Sequence, residues 1–277
     1  MKVFFGCIIF FVLGVVMLFN WNELGKSPQG SDLVRIKESN NFNSEKDMFV
    51  NIQPQIISQE KKKGFDWQLI KDWFSPGIDR VPSANLPELK PDLAAFVQGS
   101  EQLQTIWLGH SSFLINMNGN IILVDPVFSQ AASPIKSIVK RFQKPVLALE
   151  ELPDIDYILI SHDHYDHLDM QSIKFFADKE VKFITPLGVG SHLKKWGVNE
   201  SKITEKDWWQ TADFASIKFI ATPAHHFSGR NGINANSTLW ASWVIQSQSH
   251  NVYFSGDSGY GAHFKDIGDK FGPFDVA

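Results

Sequence analysis

The sequence predicts an α/β protein whose sheets are covered by helices, and three observations carry that expectation. From Thr105 onward, short runs rich in β-branched and aromatic residues alternate with turns: "TIWLGHSSFLIN", "NIILVDP", "DYILISH", "VKFITP", "SIKFIATPA", "TLWASWVIQ" and "NVYFSGD". Each is bounded by Gly, Asn, Pro or Asp, as strands are. Helical stretches intervene, "DMQSIKFFAD" and "GVGSHLKKWG", and such a mixture lays helices on sheet faces. Composition is the third observation. A chain of 277 residues, 43% hydrophobic and 20% charged, has ample core for one large domain or two small ones.

Charge and cysteine content narrow the classes of function. A net charge of −4 provides no basic field for nucleic acid, so no nucleic-acid partner is expected. The single cysteine, Cys7, excludes an internal disulfide and leaves the redox compartment open. The sequence does not determine the oligomeric state.

The elements follow in chain order. Residues 1–19 contain "VFFGCIIFFVLGVVMLF", Val3 to Phe19, uncharged and strongly apolar. As a helix it would reach roughly 25 Å, just enough for a bilayer core with some thinning. This reads as a single-pass membrane anchor, with Trp21 as an interfacial residue. A cleavable signal peptide is the competing reading, although "MLFNWNEL" lacks the small residues of a cleavage site. Lys2 is opposed by Lys26, Arg35 and Lys37, so flanking charge does not set the orientation. The expected location of the folded part is the periplasmic or extracytoplasmic face.

Residues 20–104 read as a tether and N-terminal arm. Asn20 to Gln59 is polar, with "KESNNFNSEKD" its least structured part. In "EKKKGFDWQLIKDWF", Glu60 to Phe74, helical spacing places Trp67, Ile70, Trp73 and Phe74 along one face. With Lys61, Lys62, Lys63 and Lys71 nearby, that helix either packs on its own domain or lies on a membrane surface. Pro76, Pro82, Pro87 and Pro91 then punctuate an extended connection.

Residues 105–277 carry the chemistry. "HDHYDHLD", His162 to Asp169, gathers three histidines and three aspartates directly after the strand-like "DYILI". Groups that water solvates well are hard to explain as packing, and loops at strand ends are where sites lie. His162 and His164 can meet one cation, and Asp166 with His167 a second. Imidazole and carboxylate without thiolate suit zinc or a similar divalent ion. Asp125, after "ILV", is either an orienting partner for a ligand histidine or a turn residue before Pro126. His110 either lines the site or makes a structural hydrogen bond. His192, His250 and His263 read as surface or core residues.

The loop matches the H-x-H-x-D-H pattern of the metallo-β-lactamase fold in full. "WLGHSSFLI", "ILVDPVFS", "ISHDHYDHLD", "TPAHHFSGR", "TLWASWVI", "YFSGDSGY" and "IGDKFGPFDVA" come in that order. Together they resemble the branch containing N-acyl-phosphatidylethanolamine-hydrolysing phospholipase D and its bacterial relatives, over about residues 40 to 277. The resemblance implies an αββα sandwich with two zinc sites. It places His162, His164 and His226 on the first zinc, His226 being the histidine directly before the aromatic in "HHF" and His225 a neighbour only. Asp166 and His167 map onto the second zinc, and Asp257 onto the carboxylate bridging both. Asp166 and Asp257 are the expected catalytic carboxylates. A shared carboxylate lowers the repulsion between two cations held roughly 3.5–4 Å apart.

The implied activity is zinc-dependent hydrolysis of a phosphodiester in a membrane phospholipid. The rival enzyme is a lactonase resembling the L-ascorbate-6-phosphate lactonase branch. The rival outside enzymes is an inactive, membrane-tethered fragment. The family's chain continues past "GPFDVA" and supplies one more histidine to the second metal, so this chain reads as an αββα sandwich lacking its C-terminal part. On that reading the hydrolase domain is incomplete, its second site is weak, and a further strand begins just before Ala277.

Overall fold

A computed structural model describes residues 21–52, 81–99, 102–231 and 234–277. Val3–Phe19 and Glu60–Phe74, the expected anchor and aromatic helix, lie outside the described residues. Among those described, no helix is long and apolar enough to cross a membrane.

Two sheets face each other. The first has six strands in sequence order: β3 (Gln104–Gly109), β4 (Ser112–Met117), β5 (Asn120–Val124), β6 (Tyr157–Leu159), β7 (Lys182–Pro186) and β8 (Ile203–Lys206). Pairing is antiparallel from β3 to β5 and parallel from β5 to β8. The second sheet is antiparallel throughout, with β9 (Thr211–Phe214), β10 (Ile217–Thr222), β11 (Ser242–Gln246) and β12 (Asn251–Phe254) side by side. The run "TIWLGHSSFLIN" folds as the β3–β4 hairpin, with His110 in its turn. Strands β8 and β9 carry little of the apolar signal that marked the others, because "ITEK" and "TADF" are half-polar edge strands.

Period-2 alternation sorts the apolar residues into layers. Ile122 and Val124 of β5 join Phe219 and Ala221 of β10 and Trp243 and Ile245 of β11 in the core between the sheets. The intervening Ile121 and Leu123 point to the other face, where α3 (Met170–Phe176) and α4 (Gly190–Lys195) pack with Ile173, Phe176 and Leu193. Ile220 and Val244 point away from the first sheet toward Ile267 of α5 (His263–Phe271). The order is helix, sheet, sheet, helix. Each fully buried Leu, Ile, Val or Phe contributes roughly 1.5–3 kcal/mol relative to exposure, and both sheets are lined with them.

The N-terminal residues correct the expectation of a loose arm. Trp21–Leu24 forms a 3-10 turn, Ser31–Lys37 forms α1, and β1 (Phe42–Asn43) pairs with β2 (Met48–Phe49). Ile36, Phe42 and Phe49 are buried in the core between the sheets. Lys194 and Ser191 of α4 both donate to Asp32, and Trp196 Nε1 donates to the Asn22 carbonyl at 2.6 Å. Three well-spaced apolar residues hold this polar segment, so its average composition misled. Residues 81–92 run without helix or strand into α2 (Leu93–Gln98), which Asp92 caps through a hydrogen bond from Ala95 N.

At the other end of the chain, Tyr253 N donates to the Val276 carbonyl at 2.9 Å, and Val276 bridges Val252 in parallel. This is a single isolated bridge beside β12, and no strand forms among the described residues after α5.

Candidate metal centre

The loops that carry the predicted site residues leave the strands at one end of the sandwich. Parallel strands β5 and β6 end there at Val124 and Leu159, and crevices beyond the carboxyl ends of such strands are where α/β folds bind ligands. Trp243 Nε1, from the second sheet, donates to the Ile160 carbonyl at 2.9 Å, and Ala241 N donates to the Ser161 carbonyl at 2.9 Å. The two sheets are thus tied together just before His162. Gly256 makes this approach possible: a Cβ on it would lie 2.8 Å from Ser161 Cβ, and its φ of +54° is one L side chains rarely adopt.

Asp125 orients the loop. It is fully buried, with the left-handed φ of +39° often found at functional sites. Its Oδ1 accepts from Ser161 N at 2.7 Å and its Oδ2 from Ser161 Oγ at 2.6 Å. His167 Nδ1 lies 2.7 Å from the same Oδ2. Burial opposes a charge on His167, but Asp125 and Asp257 outweigh it and carry its pKa up to about 10. A carboxylate oxygen accepts, so His167 donates its Nδ1 proton to Asp125, and Nε2 points at the site. This is the orienting role rather than the turn role.

The predicted ligands converge. His162 Nε2 lies 2.9 Å from His164 Nδ1, which lies 3.2 Å from His226 Nε2. Burial, then neighbouring imidazoles, push the His162 pKa far below its ordinary value and that of His226 down to about 4. Asp257 spans the two halves, with Oδ1 3.3 Å from His167 Nε2 and Oδ2 3.7 Å from His226 Nε2. Asp166 Oδ2 lies 3.1 Å from His110 Nε2. Burial raises the Asp166 pKa, but the hydrogen bond with His110 and the charge of His167 hold it down at about 2. His110 thus stands at the site, beside the second pair of predicted ligands.

The residues fit a metal pair. Three groups have their ligand atoms within 4.8 Å of one another: His162, His164 and His226; His110, Asp166 and His167; and His162, His167 and Asp257. Ligands about 2.0–2.1 Å from a tetrahedral zinc would lie about 3.3 Å apart, close to the spacings of the three imidazoles. The buried His167 Nε2 faces Asp257 Oδ1 at 3.3 Å without a well-formed hydrogen bond, and a cation there would satisfy both atoms. His225 stands aside, its backbone bonded to Ser258 Oγ and Gly259 N.

Several residues that position the site went unread in the sequence. Asp169 caps α3 through Gln171 N and accepts from the backbone of Phe128 and Ser129 and the hydroxyls of Ser129 and Ser172. An Asp directly before "MQSIKFF" is a legible capping signal. Asp163 faces away from the cluster, accepting from Gly229 N and Thr238 Oγ1. Burial raises its pKa, and His192, Gly229 and Arg230 outweigh that to hold it at about 2. The guanidinium of Arg230 is buried over the Tyr165 ring, 3.9 Å from its centroid. Of the isolated histidines, His192 is core beside Asp163, His263 packs under Ser258, and His250 lies near Asp275.

Comparison with known proteins agrees with this geometry. The family model described as the beta-lactamase superfamily domain matches residues 120–277. An uncharacterized protein of Mycobacterium tuberculosis is 37% identical over 233 residues, 82% of this chain and 61% of that protein. N-acyl-phosphatidylethanolamine-hydrolyzing phospholipase D 1 of Caenorhabditis elegans is 36% identical over 184 residues, 62% of this chain and 51% of that one. A UPF0173 metal-dependent hydrolase of Anaeromyxobacter sp. is 28% identical over 181 residues, 62% of each chain. The chain thus spans about three fifths of the length of its mycobacterial relative. By family match and by fold, this chain belongs to the metallo-β-lactamase superfamily, and its sequence is homologous to N-acyl-phosphatidylethanolamine-hydrolysing phospholipase D and to the UPF0173 metal-dependent hydrolases.

Proposed function

We propose that this protein is a zinc-dependent phosphodiesterase of the phospholipase D type, acting on N-acyl-phosphatidylethanolamine or a related phospholipid at a membrane to which Val3–Phe19 anchors it. The observation that carries the reading is what adjoins the metal face. His110 and Asp166 also line a cleft of about 640 Å³ whose walls include Leu89, Trp107, Val139 and Phe142, with Lys140 and Lys144 beside them. Leu89, Trp107, Val139 and Phe142 are all exposed and line this one cleft, and a contiguous exposed apolar patch marks a binding surface. The stretch Val127 to Leu149 has four Lys or Arg and no Asp or Glu, in a chain of net charge −4. Acyl chains beside an anionic phosphate match that pairing of apolar wall and basic rim. The C. elegans relative bears the name of a phospholipase with that substrate.

A bound zinc pair would lower the pKa of water toward about 7 and draw charge from a phosphoryl oxygen. The chain's own residues do the rest. His162, His164 and His226 would hold one ion; Asp166 and His167, with His110 beside them, the other; Asp257 would face both. Asp125 keeps the His167 ring in one tautomer. Asp166 and Asp257 are the carboxylates placed to accept a proton from the attacking water. Hydrolysis joins the water oxygen to phosphorus and passes a proton to the departing headgroup alcohol. Arg141 is committed to the carbonyls of Val127 and Ser129, so it shapes the cleft wall and leaves Lys140 and Lys144 to meet the phosphate.

The test is turnover of the zinc-loaded full chain on N-acyl-phosphatidylethanolamine in mixed micelles and on a simple lactone. Phosphodiester cleavage with no lactone opening is expected. Lactone opening without phosphodiester cleavage would assign the site to the lactonase chemistry instead, and no turnover of either would sink the enzymatic reading. The anchor is tested separately: deleting Met1 to Phe19 should release the protein from membranes, and retention in high salt would refute it.

A further inference from the structure

Asn51 stands two residues beyond β2, within the N-terminal arm, and its side chain brackets the backbone of His226. Asn51 Nδ2 donates to the His226 carbonyl at 2.8 Å, and His226 N donates to Asn51 Oδ1 at 3.1 Å. A carboxamide presents an acceptor and donors in one plane, so this single side chain does for His226 what a neighbouring strand would do. That matters because His226 lies beyond the end of β10, where ladder pairing has stopped at Thr222. Both peptide groups flanking the His226 Cα are thereby held, and with them the direction of the imidazole.

The same loop is tied to the arm twice more. Arg230 Nε and Nη2 donate to the Glu23 carbonyl at 3.1 and 2.8 Å, while its Nη1 donates to the carbonyls of Asp163 and Leu168 at 2.6 and 2.8 Å. One buried guanidinium thus joins the arm, the His226 loop and both ends of the histidine-rich loop. Phe49 N donates to the Asn236 carbonyl at 2.9 Å. We infer that Asn51 is a positioning residue for the third histidine of the first metal cluster, and that the N-terminal arm is in consequence a part of the metal centre. The inference rests on His226 being a metal ligand.

Cobalt(II) titration of the metal-free full chain tests it, read by visible absorption and by competition with a chelator. Asn51→Leu keeps the volume and removes both hydrogen bonds, and Asn51→Ala is the second variant should the first not yield soluble protein. Loss of an outer partner of a metal ligand weakens binding by roughly 10–100-fold. That loss is expected for one ion per chain, with an altered cobalt spectrum and a melting temperature of the metal-free protein within about 2 °C of wild type. Unchanged affinity and spectrum would overturn the inference. So would a fall in metal-free melting temperature that accounts for the weaker binding, because the role would then be structural. His226→Ala in the same titration separates the two claims: undiminished cobalt uptake there would refute the ligand reading itself, whereas weakened uptake there with a wild-type Asn51→Leu refutes only the role of Asn51.

Discussion

The two halves of the metal face share one loop but are built by opposite means. The first half is three imidazoles, His162, His164 and His226, packed ring against ring with centroids 4.5 to 5.0 Å apart. The second half pairs His167 with carboxylates, Asp125 behind it and Asp257 in front, and its outer members His110 and Asp166 are half exposed. The first half imports a ligand from a loop 62 residues away and shields it. The second half relies on charge and stays open to the cleft. An enclosed set of neutral nitrogens retains an ion, while an open set with carboxylates exchanges ligands more readily. On the proposed function, the first site would be the retentive one and the second the one nearer substrate.

The sharpest way to break this comparison is His162→Ala. His162 belongs to two of the three ligand groups, so its loss should strip the first ion and abolish hydrolysis, as read by metal analysis and turnover. His225→Ala, one residue from the ligand His226, should retain both ions. A variant His162→Ala with full zinc content would show that the imidazole cluster is not a metal site.

Asp257→Asn comes next. Its two oxygens face opposite halves, and an amide neutralises neither cation. It should lower zinc content at both sites, while Asp166→Asn lowers it at the second only. Greater loss from Asp166→Asn would remove Asp257 from its spanning role.

A smaller effect is expected from His110→Ala. Affinity at the second site should drop several-fold, with the first untouched, because among the described residues His110 contacts Asp166 alone of the carboxylates and is half exposed. Graded chelation should release the ions in two steps in wild type, with the gap between steps wider in this variant. A single step in both proteins would mean that the halves are equivalent.

The smallest effect lies outside the metal face, in the arm. Burial raises the Asp32 pKa, but hydrogen bonds from Lys194, Ser191 and Arg35 outweigh it and leave the carboxyl below its ordinary value. A depressed folded pKa contributes stability above the unfolded value of about 3.9, and that contribution is lost as pH falls through the folded value. Asp32→Asn should therefore melt lower than wild type at neutral pH, by a few degrees, and the difference should close in acid below about pH 4. A difference independent of pH would place the effect in packing and leave charge out of it.

The legible and illegible parts divide by chain distance. The spacing of His162, His164, Asp166 and His167 is a local pattern, readable because one loop presents all four. Strands β4 to β7 and β10 to β12 were visible because burial on both faces makes their sequences apolar throughout. The edge strands β8 and β9 were not, since half of each faces solvent. His110 could not be assigned from its own neighbours, because its contact with Asp166 spans 56 residues. Asn51 left no signal of any kind: a polar residue in a polar stretch acquires its role from a backbone 175 residues away.

By itself the sequence determined the layered α/β architecture and the imidazole and carboxylate chemistry of the His162–Asp169 loop, since both rest on local periodicity and spacing; the expectation of His226 over His225 came from the family resemblance. Only the tertiary structure decided that Asp125 orients His167, that Asp163 and Asp169 brace the loop without facing the histidine cluster, and that the arm packs onto the site it precedes. The physical reason is that a hydrogen bond depends on where two groups meet in space, within about 3 Å. A chain can bring together groups from any separation once its core has paid the entropy of folding.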